Sequence, residues 1–297
     1  MKNYTDEKQF KADIRKYAEN HHISGNEIGR LWQEVMLDDL LKRISLSEYK
    51  NNFILKGGLL LSAVVGINNR STENIDGEIK DLDLTENEIE KVFTSICNIK
   101  PDNDPLEITL SEIEKIHENE EYKGYRLHFN ASFKSIKYPL KVDISTGDVI
   151  TPREIRYNYA SHLENEKIEI WAYTMETVVA EKLETVITRG IANTRMKDFY
   201  DLYILQDKNI EINIATLKLA FTNTAKYRNV IFYKKGKLDK KYCLQQIHKI
   251  EKIKECKDYG RGMRKNILLQ KTLLLIKLFQ LQRVGLIDLS AMNKSFK

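Results

Sequence analysis

The residues of this chain best placed to do chemistry are Lys56, Gly57, Gly58, Arg70, Ser71, Thr72, Asn74, Asp76 and Asp143. The two glycines close the apolar run Phe53 to Leu55 and open a stretch of small and apolar residues that ends at Gly66. Glycine lets backbone N–H groups approach an anion closely, and the start of a helix adds positive potential there. Lys56, Arg70 and the hydroxyl of Ser71 supply further groups that grip phosphate. The pattern predicts a triphosphate cradle; it also fits a plain strand–helix turn with glycines for tight packing. Asp76 follows on a second short strand, which is expected to end at that carboxylate. Asp143 stands between Val142 and Ile144 and faces away from the buried side of its strand. Carboxylates on neighbouring strands can hold the divalent cation that bridges phosphates and helps deprotonate an attacking hydroxyl. Asp143 alone fits equally the polar side of an amphipathic strand.

Further along, Lys182 sits on or beside the apolar stripe of the expected helix 174–189, where a lysine is costly unless paired. It reads either as a cation reaching the phosphates or as a lysine snorkelling at the edge of the stripe. Arg195, Lys197, Asp198 and Asp201 have the spacing of surface ion pairs, so on spacing alone they describe a salt-laced helix. From Lys226 to Lys265, fourteen basic residues stand against four acidic ones, a net +10 in a chain of net +5. Tyr227, Phe232, Tyr233, Tyr242 and Tyr259 are interleaved. A solvated helical face would give this pattern, but the concentration with aromatics favours a polyanion such as RNA or DNA.

The elements that must position these residues follow from periodicity. Helices are expected over 6–17, from Ser24 onward, 59–66, 86–98 and 174–189, then from about Asn193. Leu127, Phe129, Ala131 and Phe133 alternate with polar residues, as do Leu140, Val142 and Ile144. This predicts an antiparallel pair with a turn near Ser135 to Pro139. A strand over 168–172 ends the β-rich part, and only helices are expected afterwards, including a Leu-rich one over 267–281. The fold class is α+β: a mixed or antiparallel sheet with flanking helices over 1–172, and an all-helical lobe over 173–297. Lys182 is expected to face the acidic strand ends across a cleft.

Composition narrows the rest. The chain has 297 residues, 42% apolar and 31% charged, which suits folded lobes with real cores. Its first residues are polar, with no leader-like apolar segment, and no apolar run is long enough to span a membrane. Three dispersed cysteines fit reduced thiols better than disulfides or zinc, and a cytoplasmic setting is expected. His21 and His22 fall in a polar turn and carry no metal-ligand spacing.

Taken in order, Lys56-Gly57-Gly58, Arg70-Ser71-Thr72, Asn74-Ile75-Asp76, Val142-Asp143-Ile144, Glu181-Lys182-Leu183 and Arg195 to Asp201 resemble the AbiEii/AbiGii toxin family of nucleotidyltransferases, within the DNA polymerase β-like superfamily. The likeness spans roughly residues 30 to 205. It implies a polymerase β-like lobe and transfer of a nucleotide from an NTP, GTP among the candidates, with Mg²⁺ or Mn²⁺ as cofactor. The acceptor it implies is RNA, tRNA first. It also implies a type IV toxin–antitoxin system tied to abortive infection and antiviral defence, with a separately encoded antitoxin acting mainly as a transcriptional repressor. By this resemblance Asp76, Lys182 and Asp198 are catalytic, with Asp198 orienting Lys182 or acting as base. Lys56, Gly57, Gly58, Arg70, Ser71 and Lys182 bind the nucleotide, and Asn74, Asp76 and Asp143 hold the metal. One position departs from the family: Asn74 stands where it has aspartate. That leaves weakened catalysis, nucleotide binding without transfer, or a residue altered in this particular chain. Asp81-Leu82-Asp83 is a rival ligand pair, seven residues too far from Gly58.

Overall fold

The computed structural model describes residues 6–252, apart from 26, 68, 84, 102–104, 117–123 and 164–166. The expected Leu-rich helix over 267–281, Cys256, and the basic segment beyond 252 lie outside the described residues. No helix among the described residues is long and apolar enough to cross a membrane.

The chain divides into two compact units. The first holds residues up to Asp148 together with Glu154–Tyr173; the second holds Val149–Arg153 and the chain from Thr174 onward. In the first unit, helix α1 (Glu7–Asn20) turns Phe10, Ile14 and Ala18 inward. Helix α2 (Glu27–Leu46) follows and is buried along most of its circumference, including Glu34, Asp38 and Arg43. Strand β1 (Phe53–Lys56) runs directly into α3 (Gly57–Val65), which Gly66 stops with φ +89°. Then come β2 (Asn74–Ile79), α4 (Glu86–Asn98), β3 (Glu107–Ile116), β4 (Gly124–Phe133), β5 (Ile136–Ser145), β6 (Ile155–Ala160) and β7 (Lys167–Ala172).

The seven strands form one mixed sheet in the order β3-β4-β5-β2-β1-β7-β6. β2 runs parallel to β5 and antiparallel to β1, and β1 runs parallel to β7. Period-two alternation makes the two faces unlike. Ile75, Leu127, Phe129, Leu140, Val142 and Ile144 are buried, and Phe93 of α4 packs its ring 6.0 Å from that of Phe129. Buried Arg43 ties α2 into this layer by donating to the carbonyls of Cys97 and Leu106. Registered pairs place Lys56, Asn74, Asp76, Glu78, Arg126, Asp143 and Ser145 on the opposite face.

The expected α+β class, a mixed sheet with flanking helices, is the one observed. The two edge strands, β3 and β6, are additions to the expected sheet, and three further details differ. The β4–β5 turn is at Lys134-Ser135, and Pro139 lies inside β5, opposite Asn130. Counting out from that two-residue turn, position 139 directs its backbone nitrogen away from β4, and β2 pairs only from Lys141 onward, so proline removes no ladder bond there. β2 does not end at Asp76 but carries it as its third residue. In the second unit, a short hairpin, β8 (Tyr233–Lys234) with β9 (Lys237–Leu238), interrupts the helices; Lys235 and Gly236 both have positive φ at its turn.

Among its described residues the second unit is otherwise helical: α5 (Met175–Arg189), α6 (Met196–Asp207), α7 (Ile214–Tyr227) and α8 (Lys240–Lys252). Thr174 caps α5 by accepting from the Thr177 N–H, and both threonine hydroxyls donate to the carbonyl of Thr151. Arg228 after α7 pairs with Glu181 and Glu184 of α5. Phe232 stacks between Phe221 and Tyr242.

Candidate active site

The β1–α3 junction and the middle of β2 build the site together. Gly57 has φ +63°, a conformation a side chain resists, and that bend brings the Gly58 N–H to within 3.0 Å of Asp76 Oδ2. A Cβ on Gly57 would lie 2.1 Å from that same oxygen. A Cβ on Gly58 would lie 2.7 Å from Thr72 Oγ1 and 3.1 Å from a terminal guanidinium nitrogen of Arg70. The glycine pair is therefore required by close approach of these particular groups. Arg70 also donates to the Ser71 carbonyl, which fixes the turn that follows α3.

Asp143 lies beside Asp76 because β5 pairs in register with β2, residue 143 opposite 76. The amide nitrogen of Asn74 sits between the two carboxylates, donating to Asp76 Oδ1 at 3.2 Å and to Asp143 Oδ2 at 3.1 Å. Arg126 on β4 grips Asp143 with two bonds, Nε to Oδ1 at 2.8 Å and a terminal nitrogen to Oδ2 at 2.9 Å. Asp143 in turn raises the pKa of that guanidinium above its ordinary value, against the opposing effect of burial. Asp81 and Asp83 lie exposed in the turn after β2, apart from this group.

One step along the same face, Lys56 belongs to a second polar cluster. Its ammonium is 2.9 Å from Glu78, 2.6 Å from Asp148 and 2.6 Å from the Ser145 hydroxyl, and it sits over the Tyr173 ring. Sequence order suggested a lysine gripping phosphate; the geometry shows a largely buried lysine held by two carboxylates. In the second unit, Lys182 Nζ lies 3.2 Å from Asp198 and 2.7 Å from Asp201. Asp198 also meets Arg195 at 3.1 Å. Asp201, expected in a surface pair with Lys197, is buried against Lys182 instead.

Sequence reasoning missed Arg126, and it missed a buried cluster behind the Arg70–Thr72 turn. Glu34 of α2 is fully buried; it accepts the Thr72 N–H at 2.7 Å and meets His162 Nε2 at 3.2 Å. Asp38, one helical turn on, accepts from the Tyr159 hydroxyl at 2.6 Å and meets His162 Nδ1 at 2.7 Å. The available signal was Glu34 and Asp38 at i, i+4, set at helical spacing among the buried leucines Leu31, Leu37 and Leu41. Burial opposes a charge on His162, but Asp38 and Glu34 outweigh it and lift the imidazole to about 10. A folded pKa above the unfolded value of about 6.5 gives stability that is complete below about 6.5 and is lost as pH rises through about 10. His162→Gln is therefore expected to remove the wild type's loss of stability between pH 7 and 10. That loss amounts to at most about 1.4 kcal/mol per pH unit. The check is urea unfolding followed by tryptophan fluorescence, because both tryptophans, Trp32 and Trp171, belong to the first unit.

Two carboxylates and an amide can serve as hard oxygen ligands for Mg²⁺, with one charge fewer than a set of three carboxylates. The Asn74 nitrogen shows that one small group can lie within reach of both carboxylates at once, so these residues fit a divalent cation. Among the described residues no cluster of three or more His, Cys, Asp or Glu side chains is suited to a metal.

Residues 39–271, well over half of the chain, match the family described as nucleotidyl transferase AbiEii toxin, type IV toxin–antitoxin system. The chain belongs to the AbiEii family. It is accordingly a nucleotidyltransferase of the toxin–antitoxin class, and its family implies a nucleotide substrate and an antitoxin partner. Among solved structures, a candidate nucleotidyltransferase from H. pylori is similar over 89% of this AbiEii-family chain and all of its own, at 14% identity and TM-score 0.48. JHP933 from Helicobacter pylori is similar over 91% of this chain and 98% of its own, at 15% identity and TM-score 0.47. No protein of curated function matches the chain significantly.

Proposed function

We propose that this AbiEii-family chain transfers a nucleotide from an NTP, GTP among the candidates, to the end of an RNA, tRNA first. On this reading it acts in the cytoplasm as the toxin of an abortive-infection system, and a separately encoded repressor controls it. The observation that carries the reading is the adjacency of Asp76 and Asp143 at the mouth of the Gly57–Gly58 turn. The free N–H groups at the start of α3, the Arg70 guanidinium and the Ser71 hydroxyl bind the phosphates. Gly58 holds Asp76 in place through its N–H, and the Glu34–His162–Asp38 cluster holds the Thr72 turn in place. Lys56 braces the adjoining end of β2 and β5 by pairing with Glu78 and Asp148. Mg²⁺ or Mn²⁺, held by Asp76, Asp143 and Asn74, would supply charge neutralisation at the phosphates and a more acidic attacking hydroxyl. Lys182, steered by Asp198, neutralises charge that develops on the phosphates. The basic segment from Lys226 holds the RNA.

Incubating the protein with each α-labelled NTP, total tRNA and Mg²⁺ or Mn²⁺ tests this. A labelled RNA band is the expected result; no labelled product with any NTP under either metal overturns it. The Asn74 amide between the carboxylates favours one rival, an effector that binds NTP without transferring it. Calorimetric NTP binding without any labelled product would establish the rival.

A further inference from the structure

No sequence motif called for Arg126, and its geometry is specific. Each oxygen of Asp143 accepts from a different guanidinium nitrogen, at 2.8 and 2.9 Å, and Oδ2 accepts from Asn74 as well. Bidentate pairing of this kind is among the strongest neutralisation a carboxylate finds in a protein. Asp76 is engaged too, by Asn74 on one oxygen and the Gly58 N–H on the other. All four carboxylate oxygens thus point at nitrogen donors of the chain itself. A divalent cation demands direct lone-pair contact and has to compete with those donors. Asn74 is a neutral competitor that carries an oxygen of its own. Arg126 is a charged one, with nothing to offer a cation but repulsion.

Arg126 is also open to solvent on one side. Its side chain is about 37% exposed, against 18% for Asp143. An incoming triphosphate presents non-bridging oxygens that suit a guanidinium as well as a carboxylate does.

We propose that Arg126 is a displaceable internal counter-ion that competes with the divalent cation for Asp143, so that the cation binds tightly only when a nucleotide phosphate draws the guanidinium away. This rests on the reading of Asp76 and Asp143 as the cation-holding pair. The consequence is ordered loading: cation affinity is low in the free protein and rises with nucleotide, and by linkage the nucleotide binds more tightly with the cation. Such a device keeps a growth-arresting enzyme from holding metal when substrate is absent.

The test is the dissociation constant of Mn²⁺, read by electron paramagnetic resonance on the full chain without nucleotide. Arg126→Met keeps the stem and removes the charge. It is expected to bind Mn²⁺ about tenfold more tightly than wild type or better, and adding Asp143→Asn to it should abolish the gain. Arg126→Lys, which cannot bond both oxygens in the same way, should fall between, and it serves as the folded comparison if Arg126→Met does not fold. A non-hydrolysable NTP should tighten Mn²⁺ binding to wild type more than to either variant. An unchanged or weaker constant in Arg126→Met or Arg126→Lys overturns the proposal, as does a gain that survives Asp143→Asn. The readout needs no turnover. Labelled RNA from wild type with an unaltered Mn²⁺ constant in the variants would sink the counter-ion role alone. A tightened constant with no transfer by wild type would support the counter-ion role and sink the transferase reading.

Discussion

Gly57→Ala is expected to cut nucleotide transfer about a hundredfold or more, although the added methyl touches no substrate. Two causes act together. The residue has φ +63°, where alanine is strained. Its Cβ would also lie 2.1, 2.6 and 2.7 Å from Oδ2, Cγ and Cβ of Asp76. Rotating the carboxylate away relieves the first of these overlaps but not the last, because Asp76 Cβ is fixed by β2. Either the aspartate leaves its place beside Asp143, or β1 shifts against β2. Both outcomes separate a pair that a register match holds together, and a misplacement of about 1 Å at a reacting centre is enough for a loss of this size. The strain should also lower stability by about 1–3 kcal/mol, comparable in energy with the roughly 2.7 kcal/mol of a hundredfold rate loss. Label transfer to tRNA, measured with a thermal melt on the same samples, separates the two. A Gly57→Ala enzyme of normal rate would show that the Asp76 position is not used in the reaction. The comparison with Gly58→Ala is informative: there the neighbours are Thr72 Oγ1 and the tip of Arg70, and a flexible arginine tip yields more cheaply than a strand.

The parts of this site legible in the sequence were those whose chemistry is local in the chain. Gly57 and Gly58 precede their helix, and Asp76 follows within twenty residues. The partners that complete the pocket come from pairing across the sheet, which spacing does not reveal. Arg126 was read as the polar side of a strand, and so it is; what makes it more is that β4 sets it opposite Asp143. His162 stands alone between two strands in the sequence and meets Glu34 and Asp38 only after α2 packs. The missed edge strand β3 has a physical reason too. Its alternation starts at Ile108 and Leu110 but slips at a bulge before Glu112, so Ile113 falls out of phase, and its many glutamates suit an exposed edge. Lys56 adds a case of its own: a lysine before a glycine pair invites a phosphate reading, and across the sheet its ammonium also pairs with Glu78 and Asp148.

Lys182→Ala is expected to destabilise the second unit by about 3–5 kcal/mol, because the ammonium is the shared partner of two buried carboxylates. The side chains of Asp198 and Asp201 are only 4% and 1% exposed, and Lys182 itself 14%. Asp198 would retain Arg195, whose side chain is 57% exposed and offers a weaker contact; Asp201 would lose its 2.7 Å ion pair. Loss of transfer in this single variant therefore says nothing by itself, since a melted unit and a missing cation look alike in an assay. Lys182→Met with Asp201→Asn separates them. It removes one charge of each sign, keeps Asp198 on Arg195, and should recover most of the lost melting temperature. If Lys182 neutralises charge on the phosphates, this stable double variant still fails to label tRNA, because the cation is gone. If the double variant labels tRNA at the wild-type rate, then Lys182 is there only to satisfy Asp198 and Asp201. Asp198→Asn alone then asks whether steering matters: Lys182 keeps Asp201 at 2.7 Å, so the ammonium stays in the cluster but is held from one side. A fall in kcat with an unaltered KM for the NTP would mark Asp198 as the residue that aims it.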